Sequence, residues 1–261
     1  MSSPPRKPLL GDSDPPPVVI REGGRPEVLL IGDHAGNAIP RSLEGLGVSA
    51  NDLGRHIGWD LGVRALGEAL AAELDATFVR QSFSRLVIDC NRDPRSAASI
   101  VESSDGTVIP GNVGLDPDAR EERRVAIHEP YHQAIAGEIA RRRARGPCPV
   151  LVALHSFTPA LAGVSRPWQL GLLHDVGDTT LSRALFARLK QEAQLCVGDN
   201  EPYRMDGTDY TIPRHAYPHG ARYLELEFRQ DLLPDGEHAR LWASRVAGWL
   251  RDAMAQLPPI S

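Results

Sequence analysis

Cysteine and long apolar runs are scarce in this 261-residue chain. The three cysteines, Cys90, Cys148 and Cys196, are odd in number, lie far apart and form no CxxC pair. This argues against a disulfide framework and against a thiolate metal site. No apolar run approaches the length that spans a bilayer, and the N-terminus lacks the apolar core of a signal peptide. We therefore expect a cytoplasmic protein with no membrane partner.

Positive charge is also limited. The chain carries 29 Lys and Arg residues against 34 Asp and Glu residues, which gives a formal net charge of −5. Nucleic acid is therefore a poor candidate partner, because a phosphate backbone requires a basic surface. The phosphate-binding motifs GxGxxG and GxxxxGK[ST] are absent, and so is the GxSxG nucleophile motif. The composition suits an ordinary globular protein and leaves its oligomeric state open.

Proline is unevenly distributed. Residues 1–17 contain six prolines, including the run Pro15-Pro16-Pro17. Such a segment fits neither a helix nor a central strand. The sequence predicts a flexible leader over residues 1–17 and a single folded domain over residues 18–261.

After the leader, short apolar runs alternate with segments whose apolar residues recur at helical spacing. The predicted strands cover residues 28–31, 77–80, 86–89, 150–154, 170–173 and 221–229. The predicted helices cover residues 52–74, 119–145, 179–193 and 236–257. The first is bent at Gly58 or Gly62, and the second is broken or paired at Pro130. A long polar loop covers residues 91–117. This alternation predicts an α/β fold whose mostly parallel or mixed sheet is covered on both faces.

Two of the predicted strands lead directly into histidines. His34 follows Val28–Gly32-Asp33, and His155 follows Val150–Leu154. Open α/β proteins build their sites at strand ends, and histidine is the commonest metal ligand in proteins. Each histidine could instead cap its strand by hydrogen bonding, but the pair favours a shared metal site.

A third metal ligand should be a carboxylate or another histidine. The sequence offers Asp60, Asp33 and Asn37, of which we favour Asp60. If residues 56–60 are helical, His56 and Asp60 share a face because they are four residues apart. The alternative is a solvated helix N-terminus at which Asp60 only complements the helix dipole.

Glu225, Glu227 and Arg229 alternate along the predicted strand 221–229 and therefore share one face. Such a face could be an exposed ion-pair ladder. A carboxylate beside a metal-bound water can also relay a proton, and Glu227 is our candidate for that role.

Further polar residues could bind an anionic substrate. Arg85, Asn91 and Arg92 flank the strand 86–89, where an arginine fork could hold a carboxylate; the alternative is a salt-bridged strand end. The polar stretches 198–203 and 210–215 could close the pocket, so Asn200 is a candidate substrate ligand and His215 a candidate catalytic group. Arg229 is a further candidate substrate ligand.

Several of these segments together resemble the N-formylglutamate amidohydrolase family. The matching segments are Asp33–Asn37, His56–Asp60, Ser84-Arg85, Asp89–Arg92, Leu154–Ser156, Gly198–Tyr203, Ile212–His215 and Glu227–Leu232. The family is similar to zinc carboxypeptidases and to amidohydrolases of acylated acidic amino acids. The resemblance therefore implies a three-layer α/β/α, phosphorylase/hydrolase-like fold.

The resemblance also implies roles for individual residues. His155 looks like the later zinc histidine of the carboxypeptidases, the pair Asn91-Arg92 like their carboxylate-binding pair, and Glu227 like their general base. The chain departs from their HxxE ligand motif, because Asn37 stands three residues after His34. Asp60 would then supply the missing carboxylate, or the site would bind metal loosely.

The expected function is a metal-dependent hydrolase of the N-acyl amide of a small acidic amino acid. N-formylglutamate, cleaved to glutamate and formate, is the leading substrate, and Zn²⁺ or another divalent cation is the expected cofactor. The metal ligands would be His34, Asp60 and His155. The alternatives are a hydrolase of another N-acyl amino acid or short peptide, and a binding protein that has lost the metal.

Overall fold

A mixed β-sheet forms the centre of the fold over residues 8–258, the part of the chain that the computed structural model describes. The strands of this part are β1 (Val18–Arg21), β2 (Arg25–Gly32), β3 (Ala76–Gln81), β4 (Ser103–Ser104), β5 (Thr107–Val108), β6 (Val150–Phe157), β7 (Ala160–Leu161), β8 (Val164–Ser165), β9 (Leu170–Leu173), β10 (Val197–Asp199) and β11 (Tyr223–Arg229). Seven of these described strands form the main sheet in the order β1-β3-β2-β6-β11-β9-β10. The other four form two small hairpins, β4-β5 and β7-β8.

The middle of the sheet is parallel. Strands β3, β2, β6 and β11 run in the same direction, whereas β1 and β9 are antiparallel to their neighbours β3 and β11. The carboxyl ends of β2, β6 and β11 therefore meet at one edge of the sheet. The residues that follow these ends are close in space, although they are far apart in sequence.

Helices cover both faces of the sheet. They are α1 (Ala50–Leu53), α2 (Val63–Leu74), α3 (Pro117–Arg123), α4 (Glu129–Arg143), α5 (Thr180–Leu189), α6 (Thr211–His215) and α7 (Gly236–Ala255). Along β2, Val28 and Leu30 pack towards α2, α5 and α7, while Leu29 and Ile31 pack towards α4 and α6. This alternation buries both faces of each central strand and confirms the predicted three-layer α/β/α fold with a mixed sheet.

The single helix predicted over residues 52–74 is wrong. The chain forms the short α1, an irregular segment through Asp60, and then α2. Gly62 ends the irregular segment with a φ of 82°, a left-handed conformation that glycine adopts without strain. His56 and Asp60 are therefore not on one helix face.

The strand predicted over residues 86–89 is also wrong. This segment forms turns, and the side chains of Leu86, Val87 and Ile88 are buried in a separate apolar cluster with Ile127. A short apolar run fits a buried turn as well as a strand, because only the apolar character is visible in the sequence.

The helix predicted over residues 119–145 is interrupted, as expected, but the interruption lies before Pro130. A π-helical turn over Arg124–His128 joins α3 to α4. Pro130 is the second residue of α4, and the first turn of a helix is where proline is best tolerated.

Part of the expected leader packs on the domain. Residues 1–7 of that prediction lie outside the described residues. The Leu9 side chain is buried in the same cluster as Leu86–Ile88, and its carbonyl oxygen accepts a hydrogen bond from the Ser42 hydroxyl at 2.6 Å. The ordered contacts thus begin before residue 18. No helix among residues 8–258 is long and apolar enough to cross a membrane.

The contact between α2 and β3 leads to a stability prediction. A Cβ atom on Gly67 would lie 2.3 Å from Cζ of the buried Phe78 ring. Gly67→Ala should therefore lower the free energy of unfolding by about 1–3 kcal/mol through overpacking. Urea denaturation followed by circular dichroism measures this change.

The control is Gly137→Ala in α4. Gly137 is exposed, and no neighbouring atom lies within 4 Å of the point that an added Cβ would occupy. This variant should gain about 0.5–1 kcal/mol, because alanine has the higher helix propensity. A Gly67→Ala protein as stable as the parent would contradict the packing of α2 on Phe78.

Candidate metal centre and active site

Three side chains with metal-binding atoms converge at the carboxyl edge of the sheet. Nδ1 of His34 lies 3.4 Å from Oδ2 of Asp60, and Nδ1 of His155 lies 2.9 Å from the same oxygen. The two imidazole rings are 5.1 Å apart between centroids, and all three residues are buried. The expected trio of His34, Asp60 and His155 is therefore brought together.

Strand register places the two histidines. β2 and β6 are parallel, with Ile31 opposite Ala153, so both chains leave the sheet at the same level. His34 follows two residues after the end of β2, and His155 is near the end of β6. Both histidines therefore lie at the edge that the apolar runs ending in histidine predicted.

Asp60 reaches the histidines through the irregular segment after α1. Its backbone N–H donates to the carbonyl oxygen of His34 at 3.0 Å, and the Ser156 N–H donates to its Oδ2 at 3.3 Å. Asn37, another candidate from the sequence, points elsewhere and donates to the Leu53 carbonyl oxygen. The position of Asp60 thus depends on backbone contacts across the site, and not on the helical spacing that suggested it.

Two further carboxylates lie beside the outer nitrogens of the histidines. Nε2 of His34 is hydrogen-bonded to Oδ1 of Asp89 at 2.7 Å, whereas Nε2 of His155 lies 3.4 Å from Oδ2 of Asp33 without a hydrogen bond between them. A carboxylate on the outer nitrogen fixes the ring orientation and leaves the inner nitrogen for a metal. The sequence suggested Asp33 as a ligand and noted Asp89 without a role, so it missed this arrangement.

The neighbouring groups of this cluster stabilise the ionised form of its carboxyl groups. Burial opposes ionisation of Asp60, but the neighbouring His34 and His155 hold its pKa below the ordinary value. Burial likewise opposes ionisation of Asp89, but Arg85, His34 and Arg92 together outweigh it, so the pKa of Asp89 is well below its usual range. Burial also opposes ionisation of Asp33, and the neighbouring His155, His34 and His132 together lower its pKa. The cluster is therefore a set of ionised acceptors around two imidazoles.

Two carboxyl groups of β11 lie beside this cluster. Glu227 lies opposite His155 in the parallel register of β11 and β6, and Glu225 lies opposite Ala153. Burial raises the pKa of both groups, that of Glu225 to about 8. Oε2 of Glu227 is buried and has no hydrogen-bond partner among the described residues. An exposed ion-pair ladder is thus excluded for this pair.

A cavity of about 410 Å³ opens onto these groups. Its lining includes the three metal-ligand candidates, both glutamates of β11, and the side chains of Arg85, Arg92, Tyr203 and Arg204. This size suits a small molecule. The mixture of carboxylates, imidazoles and guanidinium groups indicates a polar, charged ligand.

The expected substrate-binding residues Arg85, Asn91 and Arg92 line this cavity, but they already have partners. Arg85 forms ion pairs with Asp89 and Asp60 at 2.7 and 3.5 Å. The Asn91 amide donates to Asp209 at 3.2 Å, and NH1 of Arg92 lies 3.4 Å from the same carboxylate.

Three other expected site residues lie away from the cavity lining. His215 is buried and within 2.9 Å of His132, behind the sheet edge. The Asn200 side chain accepts a hydrogen bond from the His174 N–H. The Arg229 guanidinium pairs with Asp231 at 2.8 Å. The structure therefore does not bring these three side chains to the cavity lining with the other expected site residues.

The sequence did not single out Thr158, Arg204 or Asp209, all of which line the cavity. Each lies in a loop or at a strand end without hydrophobic periodicity. Only long-range folding brings such residues to the site, so no local pattern could have identified them.

The donor set of His34, Asp60 and His155 fits a divalent metal such as zinc. Zinc is commonly bound by imidazole nitrogen and carboxylate oxygen, and these three ligand atoms lie within 4.8 Å of one another. Their buried positions and the carboxylates behind both histidines match the surroundings of metal sites.

The sequence pattern of the N-formylglutamate amidohydrolase family matches residues 27–233. This range contains every residue of the cluster described above. No curated protein sequence matches the chain.

Two of the solved structures that resemble this chain match most of its length. A gene product of Agrobacterium tumefaciens is 35% identical with a TM-score of 0.89, and the match covers 95% of this chain and 98% of that one. An N-formylglutamate amidohydrolase from Ralstonia eutropha is 19% identical with a TM-score of 0.69, over 90% of this chain and 98% of that one. The second likeness, below 25% identity, shows the shared fold.

The buried ion pairs lead to a stability prediction. Asp89→Asn removes the carboxylate that faces Arg85 and His34, so the partly buried guanidinium and the buried imidazole both lose a charged partner. The free energy of unfolding should fall by about 2–3 kcal/mol, less than for a fully buried pair because the Arg85 side chain is 27% exposed. Urea denaturation in the presence of a chelator measures the effect without bound metal.

Asp93→Asn is the matched control in the same loop. Asp93 pairs with Arg95, whose side chain is 86% exposed. The control should cost less than about 1 kcal/mol. Equal losses in the two variants would show that the Asp89 pairs contribute no more than a surface pair.

Proposed function

Because this chain belongs to the N-formylglutamate amidohydrolase family, we propose that it is a zinc-dependent hydrolase of N-formylglutamate that releases formate and glutamate. The observation that carries the proposal is the position of Glu227. Its unpartnered, buried carboxylate oxygen lies beside His155 of the metal-binding trio and faces a cavity of small-molecule size.

His34, Asp60 and His155 would hold the zinc ion. When bound, zinc supplies Lewis-acid polarisation of the formyl carbonyl and acidification of water. Asp89 keeps the His34 ring in the orientation that this requires through its hydrogen bond with Nε2, and Asp33 lies 3.4 Å from Nε2 of His155.

Glu227 would carry the proton of the reaction. It accepts a proton from the attacking water, whose oxygen forms a bond to the formyl carbon. As the bond between the formyl carbon and the nitrogen breaks, Glu227 donates this proton to the nitrogen. The products are formate and the free amino acid, so the atoms balance.

Arg92 would bind one carboxylate of the substrate at the cavity wall. Only its NH1 group has partners among the described residues, so Nε and NH2 remain to donate. Asn91 is less available, because Asp209 and the N–H groups of Tyr210 and Thr211 use its amide. Its role is then to hold Asp209 beside Arg92. Arg85 adds positive charge at the same wall.

Metal removal tests the proposed chemistry. Exhaustive chelation should abolish formate release from N-formylglutamate, and addition of one equivalent of Zn²⁺ should restore it. Elemental analysis before and after chelation gives the metal content. Activity that is the same in metal-free and zinc-loaded protein would contradict a metal-dependent reaction.

Glu227→Gln tests the proton carrier. The variant should bind zinc like the parent, while kcat falls by about 10² to 10⁴. Glu27→Gln, an exposed carboxylate near the opposite end of β2, is the control and should keep parental turnover. A parent protein that binds N-formylglutamate without turnover would instead support a binding protein.

A panel of N-formyl, N-acetyl and dipeptide substrates separates the leading substrate from related amides. The proposal expects the highest kcat/KM for N-formylglutamate. A preference for another acyl group would leave the chemistry in place and change the substrate.

A further inference from the structure

A buried guanidinium group without a carboxylate partner lies beside the cavity. Arg166 comes directly after the β7-β8 hairpin in the chain, and the residue is 8% exposed. Among residues 8–258, no acidic side chain lies within ion-pair distance of it. A buried cation is costly unless an anion compensates it. The charge of Arg166 is therefore not neutralised by the described residues, and an anion in the adjacent cavity would compensate it.

Arg166 is connected to the cavity by two hydroxyl groups. Its NH1 donates to Oγ1 of Thr158 at 3.2 Å and to the hydroxyl of Tyr203 at 2.9 Å. Thr158 and Tyr203 both line the cavity. Each hydroxyl oxygen thus accepts from Arg166, and each keeps its own hydrogen available for a ligand.

The Tyr203 ring is also fixed by Arg166. The guanidinium carbon lies 4.7 Å from the ring centroid, a cation–π contact. The donor group of Tyr203 is therefore held at the cavity although the residue is 41% exposed.

Arg204 adds a second guanidinium without a partner. It is exposed, lines the cavity next to Tyr203, and forms no hydrogen bond or ion pair among the residues that the structure describes. The corner formed by Thr158, Arg166, Tyr203 and Arg204 thus presents unused donors and uncompensated positive charge.

The other arginines of the cavity are already balanced. Arg85 faces Asp60 and Asp89, and Arg92 faces Asp209. In the proposed function this wall receives one carboxylate of the substrate. Among the described residues, the corner around Arg166 carries positive charge that forms no ion pair with an acidic side chain.

We infer that Arg166, Tyr203 and Arg204 form the subsite for the side-chain carboxylate of the substrate and select dicarboxylates over substrates with a neutral side chain. This inference rests on the proposed function. Arg204 and Tyr203 contact the carboxylate, and Arg166 positions the Tyr203 hydroxyl and compensates the charge.

The test compares N-formylglutamate with N-formylglutamine, which differ only at the group that this corner binds. Arg204→Met and Arg166→Met should each lower the ratio of kcat/KM for N-formylglutamate to kcat/KM for N-formylglutamine about tenfold, mainly because KM for N-formylglutamate rises. Arg240→Met removes an exposed arginine of α7 outside the cavity lining, and this control should keep the parental ratio. Equal losses with both substrates would overturn the inference.

Calorimetric titration with glutarate gives a readout that needs no turnover. The metal-loaded parent should bind this dicarboxylate, and Arg204→Met should weaken the affinity about tenfold relative to Arg240→Met. If the parent hydrolyses neither formyl substrate, the proposed function fails, and this titration still decides the subsite. A parent that does not bind glutarate, or an unchanged affinity in Arg204→Met, would overturn it. Because Arg204 is exposed and unpaired, its replacement tests the subsite even if Arg166→Met does not fold.

Discussion

The site depends on the Asp60 carboxylate, which joins two histidines that come from different strands. One oxygen of this buried group lies within 3.4 Å of both imidazole rings, and the other faces Arg85 at 3.5 Å. The Asp60 backbone meets the carbonyl oxygen of His34, so the chain segment and the side chain are fixed together. The parallel register of β2, β6 and β11 then places Glu227 beside this centre. The match to the family covers all of these residues.

Much of the fold could be predicted from the sequence because the sheet is buried on both faces. The strand around Leu170–Leu173 and the strand ending near His155 are short apolar runs bounded by polar residues, and both were found. The segment Leu86–Ile88 has the same composition, but it is buried by turns and a neighbouring cluster. In a run this short, apolar composition indicates that the side chains are buried, but it does not indicate the backbone conformation.

The candidate site shows the same division. His34 and His155 could be predicted, since parallel strands end at one edge. Asp60 was chosen because it lies four residues after His56, a spacing that places two residues on one face only in a helix. In the structure an irregular segment, and not a helix, brings Asp60 to the two histidines. Asp33 and Asp89 are next to recognised residues, yet nothing local indicates which histidine nitrogen each one holds. Arg166 requires the folded hairpin and the loop of Tyr203 to meet, and no sequence pattern contains that information.

The burial of Leu9 has a consequence for how this domain is delimited. Leu9 shares its apolar cluster with Leu86, Val87 and Ile88, the turn that carries Arg85 at one end and Asp89 at the other. Trimming the chain at Val18, where the distribution of prolines would place the domain boundary, removes one wall of that cluster. The shortened protein would keep every residue that lines the cavity. It would lose an apolar contact to the turn that precedes Asp89, so the proline-rich segment is structurally part of the domain from Leu9 onwards.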